Sequence, residues 1–282
     1  MSSATLRHTI WVLRGNPVTA AAAVGATILV FIALFAPWLA PFDPVSSNVP
    51  NALRPPSAVH WAGTDQLGRD IFSRLLYATR IDLAIALAAV SLSFVLGAVV
   101  GSICGYAGGM IDRVVGRLVD VLMAFPLFVL AMAMVAALGN HIENIVFATA
   151  FINLPFYIRF ARAEVNVRRN LGWVEAARAC GDSHVSVVLR FLLPNILPAM
   201  AVQISLNLGW AILNAAGLSF IGLGITPPTP EWGIMVAEGA RFITAGHWWL
   251  VAFPGLALML SVLCFNLLGD GLRDILDPRM RT

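Results

Sequence analysis

Apolar positions along this chain gather into long runs rather than the alternating or every-third spacing of a soluble fold. Runs at 18–40, 82–106, 118–138, 145–160, 196–223 and 249–268 give about six stretches near the roughly 20 residues that a helix needs to cross a bilayer. A chain crossing lipid must satisfy its own amides and carbonyls, so the pattern predicts an all-α, polytopic transmembrane helical bundle. The first run, preceded by Arg7 and Arg14, is too long for the apolar core of a secretory signal, and further spans follow it.

The polar stretches divide the chain into a terminal segment 1–17, the first transmembrane helix 18–40, a linker 41–80, a transmembrane core 81–268 and a tail 269–282. Pro41, Pro44, Pro50, Pro55 and Pro56 make the start of the linker stiff and extended, and its end reads as a helix lying near the membrane surface. The core contains two loops of its own, 166–195 and 225–248. Within the second run Gly97, Gly101 and Gly105 recur every four residues, which leaves one helix face bare for close approach by a neighbour.

Composition sharpens this picture. The chain is 59% hydrophobic and 12% charged with a mean hydropathy of +0.82, so its solvent is largely lipid. All 18 basic residues are arginine. Without a lysine no Walker A loop can form, so any ATP and Mg²⁺ that drive the protein are bound by another polypeptide. Of the arginines, 13 fall in segments that share a side with the N-terminus, so the positive-inside rule predicts both termini on the cytoplasmic side. The formal charge of +3 therefore reflects topology, and nucleic acid is not expected as a partner. Cys104, Cys180 and Cys264 show no metal or disulfide spacing.

The loop 166–195 carries the most informative polar pattern. Residues 173–180 read as a short Ala-rich helix with Val174, Ala177 and Cys180 on one face, and Glu175 and Arg178 are spaced to pair beside it. Gly181 suits a left-handed C-cap, Asp182 or Ser183 can cap a second helix, and Pro194 marks a break before the next span. On its own this describes either a helix that fits a partner's groove or an amphipathic helix resting on headgroups.

Glu175, Ala176, Ala177 and Gly181, followed by Asp182, Leu193 and Pro194, resemble the EAA loop of ABC importer permeases. One departure is Phe191, where that family often has His. Three further blocks resemble the second permease subunit of dipeptide and oligopeptide importers. They are Gly63 to Asp70 with Ser73 and Arg74, Pro227 to Gly233, and Phe265 to Asp274 with Asp277 and Pro278. The resemblance implies a type I ABC importer permease fold, a homologous permease partner, two ATP-binding subunits or one fused ATPase, and an extracytoplasmic substrate-binding protein. It also implies that the 175–181 helix couples to the ATPase and that the chain is not itself an enzyme. Peptide is the expected cargo, with glutathione, an opine or a nickel chelate as alternatives.

Other blocks have physical readings of their own. Asp65, Gly68, Arg69, Asp70 and Arg74 suit an interfacial clamp, with Asp70 and Arg74 at i,i+4, or direct contact with cargo. Pro227, Pro228, Pro230, Glu231, Trp232 and Gly233 break the chain on the outer side, with Trp232 as an aromatic anchor; by resemblance they lie where a loaded binding protein docks. Asn153, Gln203, Asn207 and Asn214 lie inside spans, where amides either line a path or bridge helices. A stand-alone secondary transporter needs a midspan ionised cluster, and a membrane enzyme needs nucleophile and base at one depth; neither pattern is evident.

Overall fold

The computed structural model describes residues 16–276, all of them helix, turn or loop apart from an isolated bridge between Thr64 and Asp70. The helices are α1 (Pro17–Leu39), α2 (Ile71–Ala107), α3 (Gly109–Ala124), α4 (Leu127–Leu138), α5 (Ile142–Arg168), α6 (Gly172–Ala179), α7 (His184–Phe220), α8 (Trp232–Ala240) and α9 (Trp249–Leu276). Five are long and apolar enough to cross a membrane, and the bent pair α3–α4 makes up to six. The N-terminal segment before Asn16 and the Asp277–Pro278 element lie outside the described residues.

Helix α2 is the axis of the fold. Asp70 starts it by accepting from the Ser73 amide and hydroxyl, each at 2.7 Å, and from there it runs 37 residues, about 55 Å at 1.5 Å per residue. The separate surface helix expected before residue 80 does not exist. Its residues are the first turns of α2, because nothing interrupts the ladder between Ile71 and Asp82.

The three glycines of α2 meet α5. A Cβ at Gly101 would stand 2.5 Å from the Ile158 carbonyl oxygen and 2.8 Å from the Ala161 Cβ, and one at Gly105 would stand 2.8 Å from the Arg162 carbonyl. Backbones this close gain dispersion contacts along the whole interface, which is how helices associate where lipid removes the hydrophobic drive. Phe94 and Tyr157 close the same seam edge to face at 5.7 Å. Helix α1 packs along α2 and α9, with Gly25 against Cys264 and Gly271 against Thr19.

Prolines shape two runs differently from expectation. The run 118–138 is not a straight span: α3 and α4 meet at 88° around Phe125 and Pro126. Pro126 has no amide to continue the ladder, and it holds Phe125 in an extended conformation with ψ 147°. The break expected at Pro194 is absent, because residues Val187–Leu192 form a π-turn within the continuous helix α7. The Leu193 amide donates to the Val188 carbonyl five residues back, and this wider turn admits the Pro194 ring without breaking the rod.

Candidate functional site

Candidate residues collect at three levels of the bundle. At one end α6 stands out on a short arm. Val174 and Ala177 are buried against the bundle, while Glu175 and Ala176 face outward. Cys180, expected to share a face with Val174 and Ala177, is exposed where they are buried, because the helix has ended at Ala179. Gly181 takes φ +90°, and the Asp182 amide reaches back to the Ala177 carbonyl at 3.1 Å, so the arm is closed by a left-handed C-cap. Ser183 caps α7 by accepting from the Ser186 amide at 3.2 Å, and the Asp182 carboxylate accepts from the Ser186 hydroxyl at 2.7 Å. Two linked caps fix the angle between the helices.

The Glu175–Arg178 pair does not form. Arg178 instead lies over the Tyr106 ring at 4.8 Å and donates from Nε to the Tyr106 hydroxyl at 3.1 Å, tying the arm to the end of α2. Leu193 and Pro194 lie inside α7, set back from the exposed tip. A buried small-residue face, an exposed acid and a fixed angle suit a lever that a partner can push.

In mid-bundle Asn153, Gln203, Asn207 and Asn214 line one cavity of about 490 Å³. Its other walls include Phe128, Phe156 and Trp210, and no charged side chain lines it. Asn153 and Asn214 each satisfy part of their amide by donating to the carbonyl four residues back, at 2.9 and 2.8 Å. Their side-chain oxygens and the Gln203 amide can meet a polar ligand, and Asn207 adds a further carboxamide to the lining. Trp210 is 61% exposed in this chain alone.

At the opposite end the linker and α8 enclose a charge cluster. The Asp65 carboxylate holds the Arg69 Nε at 2.6 Å and accepts from the amides of Leu67 and Arg69 at 2.9 Å. Arg74 lies 3.7 Å from Asp65 rather than pairing with Asp70, and its Nη1 donates to the Pro44 carbonyl at 3.0 Å and to the Pro228 carbonyl at 3.4 Å. Glu238 of α8, which the sequence pattern did not single out, completes the set at 3.4 Å from Arg69 and 3.9 Å from Arg74. Asp70 is occupied by its cap and by His60 at 2.9 Å. Gly68, at φ +74°, lets the linker turn where a side chain would strike the Asn48 carbonyl. Arg69 and Arg74 are almost completely buried, so in this fold the cluster braces linker, α2 and α8 and does not face an open surface.

The Pro227–Gly233 block is not an exposed docking loop as a whole. Pro227 and Pro228 are exposed, but Pro230, Glu231, Trp232 and Gly233 are buried, because the first turn of α8 inserts between α2 and α7. Trp232 is therefore a core residue and not a surface anchor. Glu231 caps α8 by accepting from the Gly233 and Ile234 amides, both at 2.8 Å. Burial pushes its carboxyl up from the ordinary value, against the downward pull of those amides and the Ser219 hydroxyl. Asp82, also buried, accepts from the Trp232 amide at 3.2 Å, which brings a second acid to the start of α8 beside Glu231. An acid within an apolar run was the sequence signal for this pair, obscured by placing the start of the span at residue 82.

Comparison with known proteins fits this geometry. The family of binding-protein-dependent transport system inner membrane components matches residues 97–282, and the N-terminal TM domain of oligopeptide transport permease C matches residues 5–56. The chain is 42% identical over 270 residues to the probable D,D-dipeptide transport system permease protein DdpC of Escherichia coli K12, covering 96% of this chain and 90% of that one. It is 41% identical over 270 residues to the dipeptide transport system permease protein DppC of Alkalihalophilus pseudofirmus, covering 96% and 88%. It is 42% identical over 277 residues to a glutathione transport system permease protein GsiD of Escherichia coli O6:K15:H31, covering 97% and 91%. With a helical multi-pass bundle and a match across most of its length, this chain belongs to the family of binding-protein-dependent transport system inner membrane components, the membrane permeases of ABC importers.

Proposed function

We propose that this chain forms, with a homologous permease subunit, the path by which an ATP-driven importer carries short peptides across the inner membrane. The observation that carries this reading is the cavity between α4, α5 and α7, whose polar lining consists of carboxamides. Amides both donate and accept, as the peptide backbone does, and they hold a zwitterion without trapping it on a fixed charge. The relatives' names agree in kind, since D,D-dipeptide, dipeptide and glutathione all contain amide-linked amino acids. Glutathione is the second reading, supported by relatives at the same level of identity.

In this reading α6 lies in the cytoplasm with both termini and docks through Glu175, Ala176, Gly181 and Asp182 on an ATPase, while Ala177 packs the helix against the bundle. The nucleotide and Mg²⁺ reside in two ATP-binding subunits or one fused ATPase, and this chain binds neither. Nucleotide-driven closure pushes α6, and α7 carries the motion to Gln203, Asn207 and Asn214 on its own face. An extracytoplasmic binding protein delivers cargo at the α8 end, where Pro227 and Pro228 are accessible. The test is uptake of labelled dipeptide and of labelled glutathione by the co-expressed importer, with wild-type chain and with Glu175→Arg. Dipeptide uptake that Glu175→Arg abolishes at unchanged membrane level supports the reading; accumulation by the chain alone, without ATP, overturns it.

A further inference from the structure

The coupling geometry leaves a second feature unused, a groove of about 750 Å³ between the end of α2 and the start of α7. Its walls are aliphatic, with Val99 and Ile103 on one side and Val188 and Leu189 on the other. At its mouth stand Tyr106, His184 and Arg178, joined in a chain in which Arg178 donates to the Tyr106 hydroxyl and that hydroxyl meets the His184 Nδ1 at 2.8 Å. Among the described residues Arg178 has no carboxylate partner, whereas its neighbours Arg159, Arg162 and Arg168 are paired with Asp120, Asp112 and Glu164. The nearby acid Asp182 has its carboxylate turned to Ser186. The groove thus has an apolar body and a mouth whose cation, Arg178, has no carboxylate within ion-pair distance among the described residues.

Ser102 supplies an independent indication. Its hydroxyl is completely buried, has no hydrogen-bond partner, and belongs to a residue of the groove lining. Such a donor is costly unless something accepts from it. It lies four residues from Tyr106 along α2, about 6 Å deeper, and Val99 lies about 10 Å deeper, by the helical rise. A phosphate at the mouth, an ester carbonyl at the depth of Ser102 and an acyl chain beyond it follow the same order. We infer that this groove is a binding site for an anionic phospholipid of the leaflet at the α6 end, its phosphate held by Arg178 and His184. The charge of the mouth selects this occupant over the chain's own residues 1–15, which carry Arg7 and Arg14 and no acid. A free phosphate would leave the aliphatic walls uncovered.

The experiment uses the full-length chain solubilised in mild detergent with its co-purifying partners, incubated with mixed micelles of equal phosphatidylglycerol and phosphatidylethanolamine, with retained lipid read by native mass spectrometry. Wild type retains phosphatidylglycerol in several-fold preference. Ile103→Trp, at a half-exposed wall position, fills the groove and loses it, while Leu96→Trp, exposed on α2 outside the groove, keeps it. Arg178→Gln still takes lipid but loses the preference. The inference is overturned by equal retention in Ile103→Trp and wild type, by displacement of the lipid with inorganic phosphate, or by Ile103→Trp shedding a protein partner instead of a lipid, since a protein then covers the groove.

Discussion

At the scale of single residues the α8 end is held by buried acids and ion pairs. Glu231 has its folded value raised above the unfolded 4.5, so the folded state binds more proton than the unfolded one. Its contribution to stability is therefore complete below that value and is lost as pH rises through the raised one. Asp82→Asn removes the acid beside Glu231 while keeping an acceptor for the Trp232 amide, so it should make melting in detergent less sensitive to pH on the alkaline side. A melting profile with the pH dependence of wild type would show that Asp82 takes no part in that titration. The neighbouring cluster behaves differently. Arg69→Met leaves Asp65 buried with one fewer cation, and loss of one partner of a buried pair costs about 3–5 kcal/mol. Neutralising both in Arg69→Met with Asp65→Asn, which keeps an acceptor for the amides of residues 67 and 69, should cost less than the single change, which a thermal-shift comparison of the two variants checks. Asp65, Arg69 and Arg74 were legible as a charged group, but their partners were not, because Glu238 and the Pro44 and Pro228 carbonyls come from distant segments.

At the scale of elements, hydropathy located the helices well and their ends poorly. Apolar runs mark where lipid or core lies, whereas helix ends are set by caps and prolines whose effect depends on the neighbouring turn. Asp70 starts α2 eleven residues before the Asp82–Tyr106 run is apolar enough to notice. Pro126 falls at a helix break and Pro194 lies within a continuous helix, just after a π-turn, as Pro37, Pro155, Pro198 and Pro254 also lie within helices. The glycine ladder was legible because close approach has a direct signature in side-chain size. It yields a test with its own control. Gly101→Leu pushes against the α5 backbone and should destabilise the bundle by at least about 1–3 kcal/mol. Gly116→Leu meets only the tip of Arg162 at 3.9 Å and should be tolerated, as measured by monodispersity after solubilisation.

At the scale of the whole molecule, one helix links the proposed coupling arm to the proposed pathway residues. Helix α7 begins at the caps beside α6 and carries Gln203, Asn207 and Asn214 to the cavity, so under the proposed function a push on α6 reaches the cavity along α7. That relation was invisible in the sequence, where Pro194 reads as a break between loop and span. It makes the angular register of α7 the quantity that matters. Deleting Leu197, from the regular α-helical stretch between the π-turn and Gln203, should shorten α7 by about 1.5 Å and turn α6 by about 100° relative to the cavity. All cavity residues and the exposed face of α6 remain intact in that variant, and the aliphatic lining elsewhere keeps its composition. Its membrane level should match wild type while ATP-dependent uptake is lost, because the ATPase then pushes α6 in a direction that no longer moves the carboxamide face. Uptake at wild-type rates in the deletion variant would mean that motion reaches the cavity by another route, the contact of Arg178 with Tyr106 at the end of α2 being the remaining connection.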